Sequence, residues 1–173
     1  MVKLYVYHMH QDDPKKCTAS KLVRFNLAKL ITSPKLLPNS SIILNPYAKD
    51  VLTPMDKSLI EHGGLTAVDC SWKKAAEVFK IRFRGVKRRL PSLLAANPVN
   101  YCKLGMLSSA EALAAALYIT GYEKLATKVL SIFKWGETFL ALNEEPLRDY
   151  NRARSSDRVL ELEEEYFGWV RPS

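Results

Sequence analysis

The sequence predicts a mainly parallel α/β domain over residues 1–90, followed by an all-α domain over residues 91–173. Up to Leu90, short runs of β-forming residues alternate with helical patterns, an order typical of a parallel sheet covered by helices. Beyond Leu90 the strand patterns end and the apolar spacing becomes helical. At 173 residues with 47% hydrophobic content, the chain is long and apolar enough to bury a core.

Three strands and three helices are predicted in the first part. The strands are the alternating run KLYVYHMH and two short apolar runs, at residues 3–10, 41–46 and 65–69. The helices are predicted at residues 20–31, 53–64 and 71–83. The first shows helical spacing of apolar residues, the second begins with a proline and ends at glycines, and the third has Ser71 as a plausible N-cap.

Two prolines shape the beginning of the second part. Pro91 and Pro98 exclude a continuous helix over residues 89–101, so this segment is predicted to be extended. The following stretch SSAEALAAALYITG has a strong helical pattern, in which Ser108 and Glu111 can form a capping box. Three further helices are predicted, at residues 122–135, 136–150 and 155–169.

The charge is unevenly distributed along the chain. The net charge is +8, but residues 1–100 carry 17 Lys and Arg against 7 Asp and Glu, whereas residues 101–173 carry 9 against 11. Because phosphates attract Lys and Arg over distances that apolar contacts do not reach, the basic first part indicates a polyanionic partner. A surface rich in Lys and Arg, as in thermophiles, is the alternative explanation.

The segment KIRFRGVKRRL, residues 80–90, concentrates this positive charge. Six cations in eleven residues repel one another unless an anion screens them, and Phe83 could stack on a base. We therefore predict contacts with a nucleic acid backbone, with a solvated helix end as the alternative. The candidate residues are Lys80, Arg82, Arg84, Lys87, Arg88 and Arg89.

The sequence lacks the motifs of several common binding sites and active sites. The chain has no G-x-G-x-x-G, P-loop or nucleophile elbow, which argues against dinucleotide and Walker-type ATP binding. His8 and His10 face one side of the first strand, and Asp12 and Asp13 follow. A metal site would need further ligands, so we favour polar side chains at a strand end and predict no metal.

The cysteines and the hydropathy of the chain indicate its compartment. Cys17, Cys70 and Cys102 are odd in number and far apart, so free thiols are predicted. No apolar run approaches the roughly 20 residues that span a bilayer, and the start MVKLYVYHMHQDD lacks the features of a signal peptide. We expect a soluble cytoplasmic protein without membrane contact.

Polar and aromatic residues follow the predicted strands. The turns HQDDPKKCT, LNPYAKD and VDCSW lie at carboxyl ends, where ligands bind in parallel α/β sheets. Taken alone, Asp69 and Trp72 could mark a strand end at which the indole covers the sheet edge. The segment LPSLLAANPVNY presents main-chain amides and carbonyls beside Leu93 and Leu94. Together with Asp69 and Trp72, it would form a surface suited to a flat purine whose polar edge bonds the main chain.

Five segments in chain order carry a resemblance to a known family. DPKKCT, LNP, VDCSW, RLPSLLAANPVNY and LSSAEALAAALYITG together resemble the Tsr3 family of ribosomal RNA aminocarboxypropyltransferases. The resemblance runs over residues 3–121, and the helical tail is compatible with it. The sequence departs from the family pattern at Cys102, Leu104 and Met106, where the family tends to have Gly, Pro and Lys, which affects the shape and charge of this loop.

This resemblance implies a fold and an activity. The fold would be a SPOUT-like α/β domain with a trefoil knot, followed by the helical domain, with S-adenosylmethionine bound as co-substrate in the cleft between them. The reaction would transfer the 3-amino-3-carboxypropyl group to N3 of a uridine or N1-methylpseudouridine in small-subunit ribosomal RNA, free or in a pre-ribosomal particle, and the enzyme would be a monomer. The alternatives are a non-catalytic RNA-binding assembly factor and a SPOUT-type RNA methyltransferase.

The resemblance also implies site residues. Asp69 would lie beside the sulfonium or the acceptor base, either as general base for the imide N–H or, as we favour, as an electrostatic partner. The main chain at Val68 would meet the ribose, and Thr18 the amino acid carboxylate near a helix N-terminus. The adenine and the methionine chain would be lined by Leu44, Pro46, Trp72, Leu93, Leu107 and Ala112.

Overall fold

The computed structural model describes residues 2–8 and 18–168, and within them five strands form one sheet. The strands are β1 (Leu4–His8), β2 (Lys29–Ile31), β3 (Ile42–Leu44), β4 (Leu65–Asp69) and β5 (Val86–Arg88). Their order across the sheet is β2-β1-β4-β3-β5, and every pair of neighbours is parallel. The mainly parallel α/β sheet predicted from the sequence is confirmed.

Eight α-helices lie in the described residues, three within the sheet region and five after β5. They are α1 (Thr18–Arg24), α2 (Lys57–Gly63), α3 (Ala75–Val78), α4 (Ser109–Ile119), α5 (Glu123–Leu130), α6 (Gly136–Leu142), α7 (Glu144–Arg152) and α8 (Ser156–Phe167). Two short 3-10 turns, Pro34–Leu36 and Pro54–Asp56, precede β3 and α2.

Alternating residues of the strands pack into two cores, one on each face of the sheet. Leu4 and Val6 of β1 belong to the larger core, whereas Tyr5 between them belongs to the smaller one. This alternation follows from the period of two in a strand. The larger core includes residues from both sides of position 90, and the fully buried Leu113 and Leu117 of α4 lie within it.

The predicted helix over residues 20–31 is wrong in its second half. Helix α1 ends at Arg24, and the chain turns and re-enters the sheet as the edge strand β2. The turn passes through Asn26 with φ of 57°, a left-handed conformation that asparagine tolerates better than most residues. The apolar residues thus keep helical spacing as far as Ile31, although the helix itself ends at Arg24.

The helix predicted over residues 71–83 is also mostly wrong. Only Ala75–Val78 is helical, and Ser71 does not cap it, because Lys74 is the residue that precedes the helix. Phe83 is buried and meets Tyr7 edge-on, with ring centroids 5.1 Å apart, so it is not available to stack on a base. The basic segment continues into strand β5 and is not a helix end.

Gly85 explains how the basic segment enters the sheet. Its φ is 127°, and a Cβ at this position would lie 2.4 Å from the carbonyl oxygen of Ser41. The chain therefore passes very close to the residue before β3, as only glycine permits, and Val86 N–H then donates to the same Ser41 oxygen at 2.7 Å.

The predicted helices of the second part are largely confirmed. The capping box of α4 is present, because the Ser108 hydroxyl accepts from the Glu111 N–H at 3.2 Å while the Glu111 carboxylate accepts from the Ser108 N–H at 2.9 Å. Residues 136–150 form two helices instead of one. The break falls at Asn143, whose buried amide group bonds both the N–H and the carbonyl of Leu94.

A buried ion pair joins the end of the sheet to the last helix. Arg89 donates two parallel hydrogen bonds to the Glu163 carboxylate, at 2.9 and 3.0 Å, and Glu163 also accepts from the N–H and the hydroxyl of Ser92. Tyr150 donates to the Ser92 carbonyl at 3.0 Å. Burial, reinforced by the Glu163 charge, raises the pKa of Tyr150, so the phenol stays protonated as a donor.

Replacing Glu163 with alanine should lower the free energy of unfolding by about 3 to 5 kcal/mol, because the change leaves the Arg89 charge buried and unpaired. The neighbouring exposed residue provides the control: Glu164→Ala should change stability by less than about 0.5 kcal/mol. Urea unfolding of both variants and the parent measures the difference. Equal stability of the two variants would contradict the role given to the ion pair.

Candidate functional site

The carboxyl edge of the sheet brings Asp69 between the two parts of the chain. Asp69 ends β4 and lies opposite His8, the last residue of β1, in the parallel register. One carboxylate oxygen lies 3.1 Å from the His8 Nδ1, and the other accepts from the Ser109 hydroxyl at 3.2 Å. Because Ser109 begins α4, the helical part contributes directly to the surroundings of this carboxylate.

Trp72 makes a second link across the same edge. Its indole N–H donates to the carbonyl oxygen of Leu107 at 3.2 Å, and its side chain is half-buried. The region at the end of β4 and the region at the start of α4 are therefore joined twice, once by Trp72 and once by Asp69.

The extended segment after residue 90 is fixed by the Glu111 side chain. This carboxylate is fully buried and accepts from the N–H groups of Ala96 and Asn97, at 2.6 and 3.2 Å, and from the Asn97 side-chain amide at 2.7 Å. Together with the Asn143 bonds to Leu94, these contacts hold a segment that has no regular secondary structure in a defined position.

Most of the predicted cofactor residues lie near this edge. Leu44 ends β3, which pairs with β4, and Leu107 accepts the Trp72 hydrogen bond. Three predicted residues, Pro46, Val68 and Ala112, are half-buried. Thr18 is the first residue of α1, which packs against α4, and the residues just before it lie outside the described part of the chain.

Leu93 differs from the other predicted cofactor residues. It has no exposed surface, its side chain belongs to the larger core, and its carbonyl oxygen accepts from Gly105 N–H at 2.8 Å. A ligand at the edge of the sheet therefore has no access to Leu93 in this structure. We leave it out of the site.

The predicted RNA residues divide into two groups. The exposed group keeps its charges in solvent and consists of Lys80, Arg82, Arg84 and Lys87. Arg88 is half-buried and donates through Nε to the Asp56 carboxylate at 3.2 Å. Arg89 is buried against Glu163, so its guanidinium group is not presented to a polyanion. Sequence spacing alone does not reveal these carboxylate partners, which lie 32 and 74 positions away.

The described residues contain no cluster of three or more His, Cys, Asp or Glu side chains that could hold a metal ion. Three of the residues weighed as ligands, His10, Asp12 and Asp13, lie outside the described residues, as does Cys17. No helix in the described ranges is both long and apolar enough to cross a membrane.

Two surface depressions, of about 370 and 600 Å³, lie elsewhere on the molecule. The smaller is lined mainly by residues of α6, α7 and α8, and the larger lies between Met55 and the end of α7. Neither includes Asp69 or Trp72. The carboxyl edge is the better candidate for chemistry because parallel α/β sheets bind ligands there and because a buried carboxylate is positioned at it.

The sequence did not identify His8 and Ser109 as neighbours of Asp69. The sequence favours His8 as a polar side chain at a strand end over a metal ligand, and it links Ser109, an alternative to Ser108 as N-cap, only to its own helix. The strand register would have placed His8 beside Asp69, because the carboxyl ends of parallel strands meet at one edge. Ser109 is 40 positions from Asp69, and no local pattern connects the two.

Family models match both ends of the chain. Residues 42–167 match the model described as "Ribosome biogenesis protein, C-terminal", and residues 2–36 match one described as "Possible Fer4-like domain in RNase L inhibitor, RLI". An iron–sulfur cluster is held by several cysteine ligands, whereas Cys17 is the only cysteine in residues 2–36. The second match therefore gives no support for a cluster here.

Curated relatives match over nearly the full length. The 16S rRNA aminocarboxypropyltransferase of Methanocaldococcus jannaschii is 47% identical over 167 residues, 96% of each chain. That of Thermoplasma volcanium is 47% identical over 168 residues, 97% of this chain and 100% of the relative. The solved structure of the SAM-dependent rRNA:acp-transferase Tsr3 from Vulcanisaeta distributa is similar with a TM-score of 0.88 and 46% identity, covering 96% of this chain and 89% of that one.

The fold and the site define a parallel α/β protein whose candidate site lies at the carboxyl edge of the sheet, against the first turn of a buried helix. Within that class, the comparisons are specific. The chain belongs to the Tsr3 family of ribosomal RNA aminocarboxypropyltransferases, as the sequence motifs predicted.

Proposed function

We propose that this protein transfers the 3-amino-3-carboxypropyl group of S-adenosylmethionine to N3 of a uridine or N1-methylpseudouridine in small-subunit ribosomal RNA, during ribosome biogenesis. The proposal is supported by two relatives of this activity that are 47% identical over nearly the whole chain. In the structure, it rests on one observation: Asp69 at the end of β4 and Trp72 just after it are hydrogen-bonded to Ser109 and Leu107 at the start of the helical part.

The residues at this edge fit the chemistry of S-adenosylmethionine. An adenine needs apolar walls with main-chain polar groups at its rim, and Leu44, Trp72 and Leu107 offer both. A sulfonium needs a negative charge nearby, and Asp69 is the carboxylate at the edge. We propose that Pro46, Val68 and Ala112 complete the adenosyl site and that Thr18 binds the amino acid carboxylate.

Selecting the transferred group is a problem of placement. A bound sulfonium offers three electrophilic carbons, of which the methyl carbon is the least hindered. Residues that hold the nucleoside and the amino acid arm on separate elements can turn one carbon toward the acceptor and shield the others, which gains rate through orientation. Joining β4 to the start of α4 through Trp72 and Asp69 gives such a fixed arrangement.

We propose an electrostatic role for Asp69. Each of its oxygens already has a polar neighbour, the hydroxyl of Ser109 and the imidazole of His8. These partners fix the carboxylate in one orientation, which suits stabilisation of a nearby cation. Abstraction of the imide proton by Asp69 is the competing role.

We further propose the finer features of fold and context that the family resemblance implies. These are a SPOUT-like domain over residues 1–90 with a trefoil knot, a helical domain over residues 91–173, and action as a cytoplasmic monomer. The buried course of the main chain after β5 supports the knot: Arg89 bonds both Asp50 and Leu52 through its main chain, and residues 91–93 are then buried.

The exposed cations provide the surface for the RNA. Lys80, Arg82, Arg84 and Lys87, which we call the basic strand surface, lead into and along β5, next to β3 at the edge of the sheet. Cations that remain in solvent attract phosphates, and the binding of RNA to them releases the counterions of the RNA. We propose that this surface binds the ribosomal RNA or a pre-ribosomal particle.

The experiment that tests the function is incubation of the protein with S-adenosylmethionine and 16S rRNA from cells that lack the enzyme, followed by nucleoside mass analysis. We expect the mass of the aminocarboxypropyl group to be added to one uridine-type nucleoside. Addition of a methyl mass would identify a methyltransferase. An unmodified RNA that is nevertheless bound, together with no binding of millimolar S-adenosylmethionine in calorimetry, would identify a non-catalytic assembly factor.

Replacing Trp72 with alanine should weaken S-adenosylmethionine binding by about 1 to 3 kcal/mol, the value of one aromatic ring stacked on a base. Trp72→Phe keeps a ring and removes only the hydrogen bond to Leu107, so it should lose less. Isothermal titration calorimetry measures both affinities. Parental affinity in a folded Trp72→Ala variant would return the indole to a purely structural role.

Replacing Asp69 with asparagine separates its two proposed roles. If the carboxylate stabilises the sulfonium, affinity for S-adenosylmethionine should fall by about 1 to 3 kcal/mol, whereas affinity for the uncharged thioether S-adenosylhomocysteine should not change. Asp50, an exposed residue in the loop after β3, provides the control, because Asp50→Asn should alter neither affinity. Unchanged binding of both ligands with a large loss of turnover would instead favour the general base.

A further inference from the structure

Two arginines at the end of α7 face the larger surface depression. Arg152 is the last residue of α7, and Arg154 lies in the short linker before α8. With Pro54 and Met55 on the opposite wall, they line a volume of about 600 Å³. Met55 is 52% exposed. This depression, which we call the Met55 cleft, combines two guanidinium groups with an exposed thioether.

These arginines differ from their neighbours because no carboxylate of the described residues pairs with them. Arg148 and Arg158 each bind carboxylates of their own helix, at distances of 3.1 to 3.3 Å. In the part of the chain that the structure describes, the side chains of Arg152 and Arg154 make no hydrogen bond or ion pair. Acidic residues outnumber basic ones in residues 101–173, so two unpaired guanidinium groups at one depression are a local exception.

We propose that the Met55 cleft binds a single-stranded segment of the RNA substrate. Arg152 and Arg154 would contact its phosphates, because the guanidinium group forms paired hydrogen bonds with phosphate oxygens. The thioether of Met55 would pack against a base, since sulfur makes favourable contacts with aromatic rings. A depression of about 600 Å³ is within the range of sites that hold molecules of nucleotide size.

The Met55 cleft is linked to β5, the strand that carries Lys87 of the basic strand surface. Asp56, next to Met55, binds the guanidinium group of Arg88, and Arg88 follows Lys87 on β5. Side chains alternate along a strand, so Lys87 and Arg88 lie on opposite faces of β5, and an RNA that reaches both the basic strand surface and the cleft would pass around this edge strand. The inference rests on the proposed function, because that function places RNA on this chain.

The test compares two double variants that remove the same charge. Arg152→Gln with Arg154→Gln removes the cleft arginines, and Arg148→Gln with Arg158→Gln removes the two that are already paired. Affinity for a 16S rRNA transcript is measured at several salt concentrations. Because each phosphate contact to a single strand contributes about 0.7 to the log–log salt slope, loss of two contacts should lower the slope by about 1.4 and the affinity at 0.1 M salt about 25-fold.

A lower slope in the cleft variant with a parental slope in the control variant would support the proposal. Equal losses in both variants would show a general effect of net charge and overturn it. Parental RNA binding by the cleft variant would also overturn it and would leave an acidic protein as the ligand of the cleft. Calorimetry with S-adenosylmethionine, run on the same variants, tests the proposed function separately, since the cleft arginines lie apart from Asp69 and should not affect that affinity.

Discussion

A fully buried carboxylate needs hydrogen-bond donors for both oxygens, and Glu111 obtains them from the segment that precedes its own helix. The N–H groups of Ala96, Asn97 and Ser108 and the Asn97 amide all point at it. These donors belong to a stretch without regular secondary structure, so Glu111 takes over the organising role that a helix or strand would otherwise have. Because α4 is buried among β4, α1, α5 and α7, the position of its first turn is fixed, and the segment is fixed with it.

The chemistry at the edge of the sheet depends on this arrangement. With the first turn of α4 held in place, Ser109 meets Asp69, and Leu107 meets the indole of Trp72. Neither contact is strong, since a single hydrogen bond contributes about 1 kcal/mol to stability. Their value lies in position: they align residues from two distant parts of the sequence around one small volume, which is what selection among three carbons of one sulfonium demands.

The sequence predicted those features that depend on neighbours along the chain. The capping box of α4 joins residues three apart, and the strands β1, β3 and β4 are short apolar or alternating runs, so local patterns were sufficient. Strand β2 was missed because its three residues continue the apolar spacing of α1, and only the turn at Asn26 separates them. The resemblance to a family supplied the site residues, which periodicity could not have provided.

Arg89 and Leu93 are less accessible than the sequence led us to expect, and in both cases the reason is contact with residues far away in the sequence. Arg89 belongs to a run of cations, and nothing near it reveals that Glu163 will neutralise it in the interior. Leu93 stands in a loop-like stretch, and its complete burial follows from helices that come later in the chain. The composition predicted a basic surface, and exposed cations are present in residues 80–90. Which of the six cations are exposed could be learned only from the three-dimensional contacts.

The pairing of Arg89 with Glu163 also bears on how the protein is made. The counterion of Arg89 lies in the final helix, so a nascent chain that has not yet left the ribosome as far as residue 163 holds a cation with no interior partner. Residues 89–92 therefore obtain their buried hydrogen-bond partner only once α8 has been synthesised and has packed against them.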